Sequence, residues 1–575
     1  MIRPGQKRMR GLLAVLLLVC LVASACSAGS GKGEGKTGSD ESHGARNGET
    51  VIVLSDDGVT VNGQEASDSP SEAVHVGADI VYYEAVRGSE YGEGDEEDGH
   101  SAEEAARHTV VTIAQPGTYR VTGEMSAGQI AVDLGEDAVT DPAAVVRLIL
   151  DNVSLTSTVA PAVMFYNVFE PYSASEDTGG NVDLSGAGAQ VVLADGSVNH
   201  IRGAYVARIY EEGTTSTLHK YDGAFYSKMS MNISGEEKGT GELYIEAANE
   251  GLNSELHLAI NGGSLYIYAQ DDGINTNEDG ISVTQINGGY VHINAGLGAE
   301  GDGIDSNGYL TINGGTIIAM ANERSPDGGI DADKDITING GTLLAFGRQN
   351  SQVSASSAQP VMQLIFAASQ EAGSEISLRN ADGYELLNTE AGKAFSALTF
   401  SSKDLAVGTE YFLYVNGVRQ QFVGSFTGGG AGGPGGEFGG GFGGGGGMGP
   451  EGQPPEPPGG MALPDGAASP EGMTPPNGTN SPWGMIPPDG WTPPDGTNAD
   501  GVPADRPQPA EGENGRPPKP PGGFVPPDGF GPGRAAAGGE GSASFLMEDK
   551  VQSFFGITAA SAATETSEPF AARSL

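Results

Sequence analysis

Between residues 243 and 347 one pattern of apolar and polar positions recurs along the chain. Ile-Asn-Gly-Gly begins at Ile260, Ile286, Ile312 and Ile338, a constant spacing of 26 residues. After each Gly-Gly the apolar positions alternate with period two, which predicts strands. Read down the repeats, Leu265, Val291, Ile317 and Leu343 form one apolar column. Ile267, Ile293, Ala319 and Ala345 form the next, and Ala269, Ala295, Ala321 and Gly347 a third. These columns narrow along the strand, as an inward face should. The positions between them (Tyr266, His292, Ile318, Leu344 and Tyr268, Asn294, Met320, Phe346) read as an outward face. A second short strand precedes each Gly-Gly, at Leu258/Ile260, Thr284/Ile286, Leu310/Ile312 and Ile336/Ile338.

Units this small cannot bury their own apolar face, so a fixed period in this range means stacking. Two or three short strands per 26 residues, joined by tight turns, describe the rung of a parallel β-helix. A β-propeller or sandwich competes, but propeller blades take about 40 residues or more. Gly-Gly permits corner angles that a Cβ forbids. Asn at the same corner of each rung can bond to its neighbours in a stacked ladder. Each buried aliphatic side chain contributes roughly 1.5–3 kcal/mol, enough for a solenoid without disulfides.

Looser β-runs extend the pattern upstream, at 118–123, 128–132, 146–150, 153–155, 163–165 and 191–193. The acidic stretch 92–98 and the segment 172–188 read as loops thrown out of the coil. Downstream, 362–366, 376–378, 395–400 and 411–415 are strands without the period. They read as a cap over the last exposed edge. The expected fold class is therefore all-β: a parallel β-helix over residues 51–350 with a β-rich C-terminal cap over 351–427. About half of residues 428–540 are Gly or Pro, a low-complexity segment expected to be disordered. Residues 541–575 turn apolar again and read either as a strand returning to the body or as a simple tail.

Composition sharpens the reading at the N-terminus. Arg3, Lys7, Arg8 and Arg10 precede an apolar run at 11–22, shorter than the ~20 residues of a membrane span. This reads as a secretion signal over 1–25. Ala23-Ser24-Ala25-Cys26 resembles a bacterial lipobox, with Ala23 where a larger aliphatic is usual; ordinary signal cleavage is the alternative. Cys26 is the expected lipidation site and residues 26–50 a flexible tether. The expected location is the extracellular face of a bacterial membrane, touched only through the anchor. The chain of 575 residues carries 29 basic and 75 acidic side chains, net −46, which argues against nucleic acid as a partner. Two cysteines exclude a disulfide scaffold. A monomer is expected.

Several motifs occur in order: Tyr226-Ser227-Lys228, Ile233-Ser234-Gly235, Gly239-Thr240-Gly241-Glu242-Leu243, Gly251-Leu252-Asn253, Asp272-Gly273-Ile274-Asn275 and Asp302-Gly303-Ile304-Asp305. With the Ile-Asn-Gly-Gly corners, and with Pro116-Gly117-Thr118-Tyr119 near the start, residues 110–425 resemble the clostridial carbohydrate-binding domain-containing surface proteins. The resemblance implies a right-handed parallel β-helix related to polysaccharide lyases, calcium at inter-rung turns, and binding of cellulose or acidic plant-wall polysaccharide. The acidic loop before residue 108 and the long Gly/Pro segment depart from it.

The turns carry the candidate chemistry. Asp272, Asn275, Asp302, Asp305, Asp331 and Asp333 recur around Gly-[Ile/Leu]-[Asp/Asn]. Stacked rungs bring such groups to about 4.8 Å. Carboxylates that close raise one another's pKa unless a cation intervenes, and calcium takes six to eight oxygens of this kind. The competing reading is that Asp and Asn merely cap turns. Tyr266, Tyr268 and Tyr290 occupy neighbouring outward positions and are the candidate sugar platform, continued by Met320 and Phe346; the competing reading packs them under a loop. Few bases lie in the repeat, and Lys334 stands between Asp333 and Asp335. A non-catalytic polysaccharide-binding protein is the expected function, with a calcium-dependent lyase or a structural adhesin as alternatives.

Overall fold

The computed structural model describes residues 48–427 and 541–560. The leader, Cys26, most of the tether, the Gly/Pro segment with Trp483 and Trp491, and residues 561–575 lie outside them. The described chain is all-β; its α-helix is the four residues Ala102–Ala105.

Three ladders of parallel strands organise the region before residue 350. The first stacks Val198–Gly203, Glu242–Ala247, Ser264–Ala269, Tyr290–Asn294, Thr316–Met320 and Thr342–Gly347. Its register places Leu243, Leu265, Val291, Ile317 and Leu343 over one another, all fully buried. The second stacks Ile233, Ile260, Ile286, Ile312 and Ile338 in the same way. The third joins Gly128–Asp133, Val163–Asn167, Gly223–Ser227, Glu250–Ser254, Ile274–Thr276 and Ile304–Ser306. Inward side chains from all three meet in one continuous core.

The corner between the second and first ladders explains Asn-Gly-Gly. Gly289, Gly315 and Gly341 have φ of 88°, 87° and 84°, and a Cβ there would lie 2.6–2.9 Å from the carbonyl oxygen of the glycine one level back. Only glycine allows both the angle and the close stacking. The asparagines donate along the row: Asn339 to Asn313 at 2.9 Å, Asn313 to Asn287 at 2.8 Å, Asn287 to Asn261 at 2.7 Å.

The cap closes the last edge by reversing direction. Phe395–Ser401 pairs antiparallel with Thr342–Gly347 and with Val361–Gln370, so the sheet is mixed. Val551–Ala559 returns to pair in parallel with Val361–Gln370 and antiparallel with Gly424–Thr427. This corrects one expectation. Met320 and Phe346 do not continue an exposed platform: they are 5% and 2% exposed, in a second core with Phe400, Leu413 and Phe554. The cap covers the outward face of the last two repeats as well as their edge.

The segment 172–188 also differs from a loop thrown free. Val182, Leu184 and Ala187 lie back on Ala259 and Val283, and Gln285 exchanges two hydrogen bonds with the Val182 backbone. At the other end, buried Arg120 binds Glu49 at 2.8 Å, Asp151 at 3.0 Å and Glu236 at 2.8 Å. One cation among three carboxylates ties four chain segments together there.

Candidate functional site

The third ladder aligns the Gly-[Ile/Leu]-[Asp/Asn] motif. Leu252, Ile274 and Ile304 stack in register and point into the core, so Asn253, Asn275 and Asp305 beside them turn to the other face. Three residues earlier, Glu250, Asp272 and Asp302 form a parallel row, fixed by Gly251 N–H donating to the Asp272 carbonyl (2.9 Å) and Gly273 N–H to that of Asp302 (3.0 Å).

Of the six residues expected to hold a cation, three converge: carboxylate oxygens of Asp302, Asp305 and Asp331 lie within 4.8 Å of one another. Asp272 sits one level along and accepts the Asp302 N–H at 2.6 Å. Asn275 donates to Glu250 at 3.0 Å and toward Asp272 at 3.5 Å. Asp333 lies outside the cluster, on the exposed surface. Glu250, Asp271 and Glu255 join the acidic row beyond the six residues expected from the motif. Glu250 stands immediately before its glycine, as Asp272 and Asp302 do, and that position was the available signal.

The row gathers carboxylates with few cations beside them. Burial, and then the neighbouring carboxylates, push Asp305 up to about 7, Glu250 to about 8 and Asp271 to about 6. Burial, followed by Asp305 and Asp271, holds Asp272 well above the usual range; for Asp302 the cause after burial is Asp331. Asn253 Oδ1 and Asn275 Oδ1 are buried, and among the described residues no donor reaches either. Carboxylates mixed with orphaned amide carbonyls suit a calcium ion, which takes oxygen ligands in flexible geometry. Lys220, at one end, pairs with Asp222 at 2.8 Å. Burial opposes its charge, but Asp222 more than offsets this and its pKa is raised, which makes it a poor base.

The tyrosines line the outward face of the first ladder. Tyr266 stacks on Tyr244 at 4.5 Å with planes 9° apart, and Tyr244 on His200 at 4.9 Å. Tyr290 lies 5.6 Å from Tyr266, tilted by 49°. Tyr268 is one column over, in register with Glu246 and Asn294. Stacked rings turn their faces to each other, and the Tyr244 hydroxyl donates to Glu242 at 2.9 Å; Tyr290 is the ring tilted out of that stack. Tyr244 and His200 belong to the row but precede the 26-residue period, which is why the repeat alone did not reveal them.

Residues 107–391 match the family of carbohydrate-binding domain-containing proteins. The match supports carbohydrate binding by this segment, and both the acidic row and the tyrosine row fall inside it. A solved structure described as a polysaccharide lyase-like protein from C. thermocellum, in its gadolinium derivative, is similar at 22% identity with a TM-score of 0.31. It covers 51% of this chain and 92% of its own. No curated protein matches the chain.

Proposed function

We propose that the protein is a cell-surface lipoprotein, anchored at Cys26, that binds polysaccharide without cleaving it. In this reading the three ladders wind as a right-handed parallel β-helix, supported by the in-register parallel pairing and the continuous core. Glu250, Asp272, Asn275, Asp302, Asp305 and Asp331 hold calcium, with Asp333 at the margin. The ion neutralises carboxylates that otherwise repel and leaves coordination positions for a uronate or water. Tyr244, Tyr266, Tyr268 and Tyr290 offer hydroxyls and one tilted ring to a neutral glycan such as cellulose.

One observation carries the reading: the segment that matches a carbohydrate-binding family contains both a cation-poor acidic row and an outward aromatic row. A lyase needs a base beside the neutralised acid, and the lysine at the row, Lys220, is held protonated by Asp222.

Retention of the chain on insoluble cellulose and on polygalacturonate, with calcium and with chelator, tests the proposal. Binding to cellulose regardless of calcium, and to polygalacturonate only with it, is expected. No retention on either matrix overturns the binding function. Unsaturated product absorbing in the ultraviolet overturns the non-catalytic part.

A further inference from the structure

A concavity whose lining shares no residue with either row lies between residues 80–91 and the antiparallel pair Val206–Tyr210 and Thr217–Tyr221. Its volume is about 700 Å³, within the range of small-ligand clefts. Buried Ile80 and Ile209 are among its lining, with half-buried Tyr82 and Tyr210. Leu218, 55% exposed, adds apolar surface on the hairpin side.

The two walls are fixed to each other. Tyr210 N–H donates to the Tyr91 carbonyl at 2.7 Å and Glu93 N–H to that of Arg208 at 2.9 Å. Gly92 sits so close that a Cβ would lie 1.9 Å from the Arg208 carbonyl oxygen, so the contact demands glycine. A cleft held this way is pre-organised, and ligand binding spends little on ordering it.

Its charged groups select the ligand. Glu84, Glu90 and Glu212 line the cleft against a single cation, Arg87, which lies over the Tyr91 ring at 4.6 Å. Among the described residues the side chains of Glu90 and Glu212 have no hydrogen-bond or ion-pair partner. Both are exposed acceptors, solvated in the free chain and open to a ligand's donors. A sugar ring matches both kinds of surface: an apolar face for the aliphatic and tyrosine surfaces, and hydroxyl donors that can replace water at the carboxylates. A uronate would meet net negative charge with no cation cluster behind it.

We propose that this cleft binds a short stretch of a neutral glycan chain, independently of calcium. The inference rests on the carbohydrate-binding reading but names a different place from the tyrosine row. One wall, residues 80–91, precedes the family-matched segment 107–391.

Calorimetry on the full chain with cellotetraose, and separately with trigalacturonate, decides it. Cellotetraose should bind equally with calcium or chelator, and trigalacturonate should not enter the cleft. In a Tyr266→Ala background, where the tyrosine row does not contribute, Tyr82→Ala should abolish the remaining cellotetraose binding. The exposed pair Glu90→Gln with Glu212→Gln should weaken it about tenfold, while Val407→Ala, at an exposed position in the cap, should leave it unchanged. If the cleft variants bind cellotetraose as the parent does, or Tyr266→Ala alone removes binding, the cleft is overturned while carbohydrate binding stands. If a cationic peptide binds the cleft and cellotetraose does not, the ligand class is overturned. If the chain binds no glycan, soluble or insoluble, both proposals fall.

Discussion

Two columns of side chains climb the same stack of strands, and they behave in opposite ways. At the Gly-Gly corner, Asn261, Asn287, Asn313 and Asn339 each donate an amide N–H to the oxygen one level back. Asn232 receives the bond at one end, and Asn339 accepts from Ala358 N–H at the other. On the third ladder the corresponding groups are mostly carboxylates, which only accept. There, level spacing that suits amides concentrates negative charge, and the folded chain responds by holding protons. Stacking alone is therefore neutral machinery: donor–acceptor residues make it a strut, and acceptor-only residues make it a column of repelling charge.

Breaking the acidic column should have the largest effect. Calcium at a hundredfold excess over its Kd should stabilise the protein by about 2.7 kcal/mol, read as a higher melting temperature. Asp302→Ala with Asp305→Ala should remove that gain; an unchanged gain places the ion elsewhere. In the asparagine column, Asn287→Ala removes two side-chain hydrogen bonds that face solvent and should cost about 1 kcal/mol in denaturant unfolding, the same with or without calcium. A calcium-dependent cost would show that the two columns are not separate.

The pH dependence sharpens the contrast further. In chelator, Asp305 and Glu250 hold protons up to about pH 7 and 8, which the unfolded chain releases near pH 4. The folded state thus binds more protons through that window, and stability falls as pH rises from about 4 to 8. Melting at pH 5 should exceed melting at pH 8 in chelator, and added calcium should shrink or reverse the difference. The smallest effect should come from making one column resemble the other. Asp305→Asn in calcium-free protein at pH 8 removes a repelling charge and should raise the melting temperature slightly, while weakening the calcium response. A lower melting temperature would mean that Asp305 is stabilised by a contact other than a cation.

Much of the core was legible because it recurs at a fixed offset. A 26-residue period places Leu265 over Val291 and Asn261 over Asn287 without knowledge of anything distant. The acidic row was legible only in part. Its spacing is irregular, with 22 residues between Asn253 and Asn275 and 30 between Asn275 and Asp305, because the turns between them differ in length. Constant-offset reading therefore aligned the motif but not Glu250 or Asp271, whose membership follows from the hydrogen-bond register.

What the sequence determined by itself is the set of properties that local repetition enforces: the strands, their inward columns, the glycine corners and the amide strut. Each depends on neighbours one turn away, and the periodic pattern carries that information. Only the tertiary structure decided what remote segments cover or build. The cap hides Met320 and Phe346, the 172–188 segment lies back on the second ladder, and two stretches over a hundred residues apart enclose the cleft. Such contacts are selected by complementary surfaces that no spacing along the chain records.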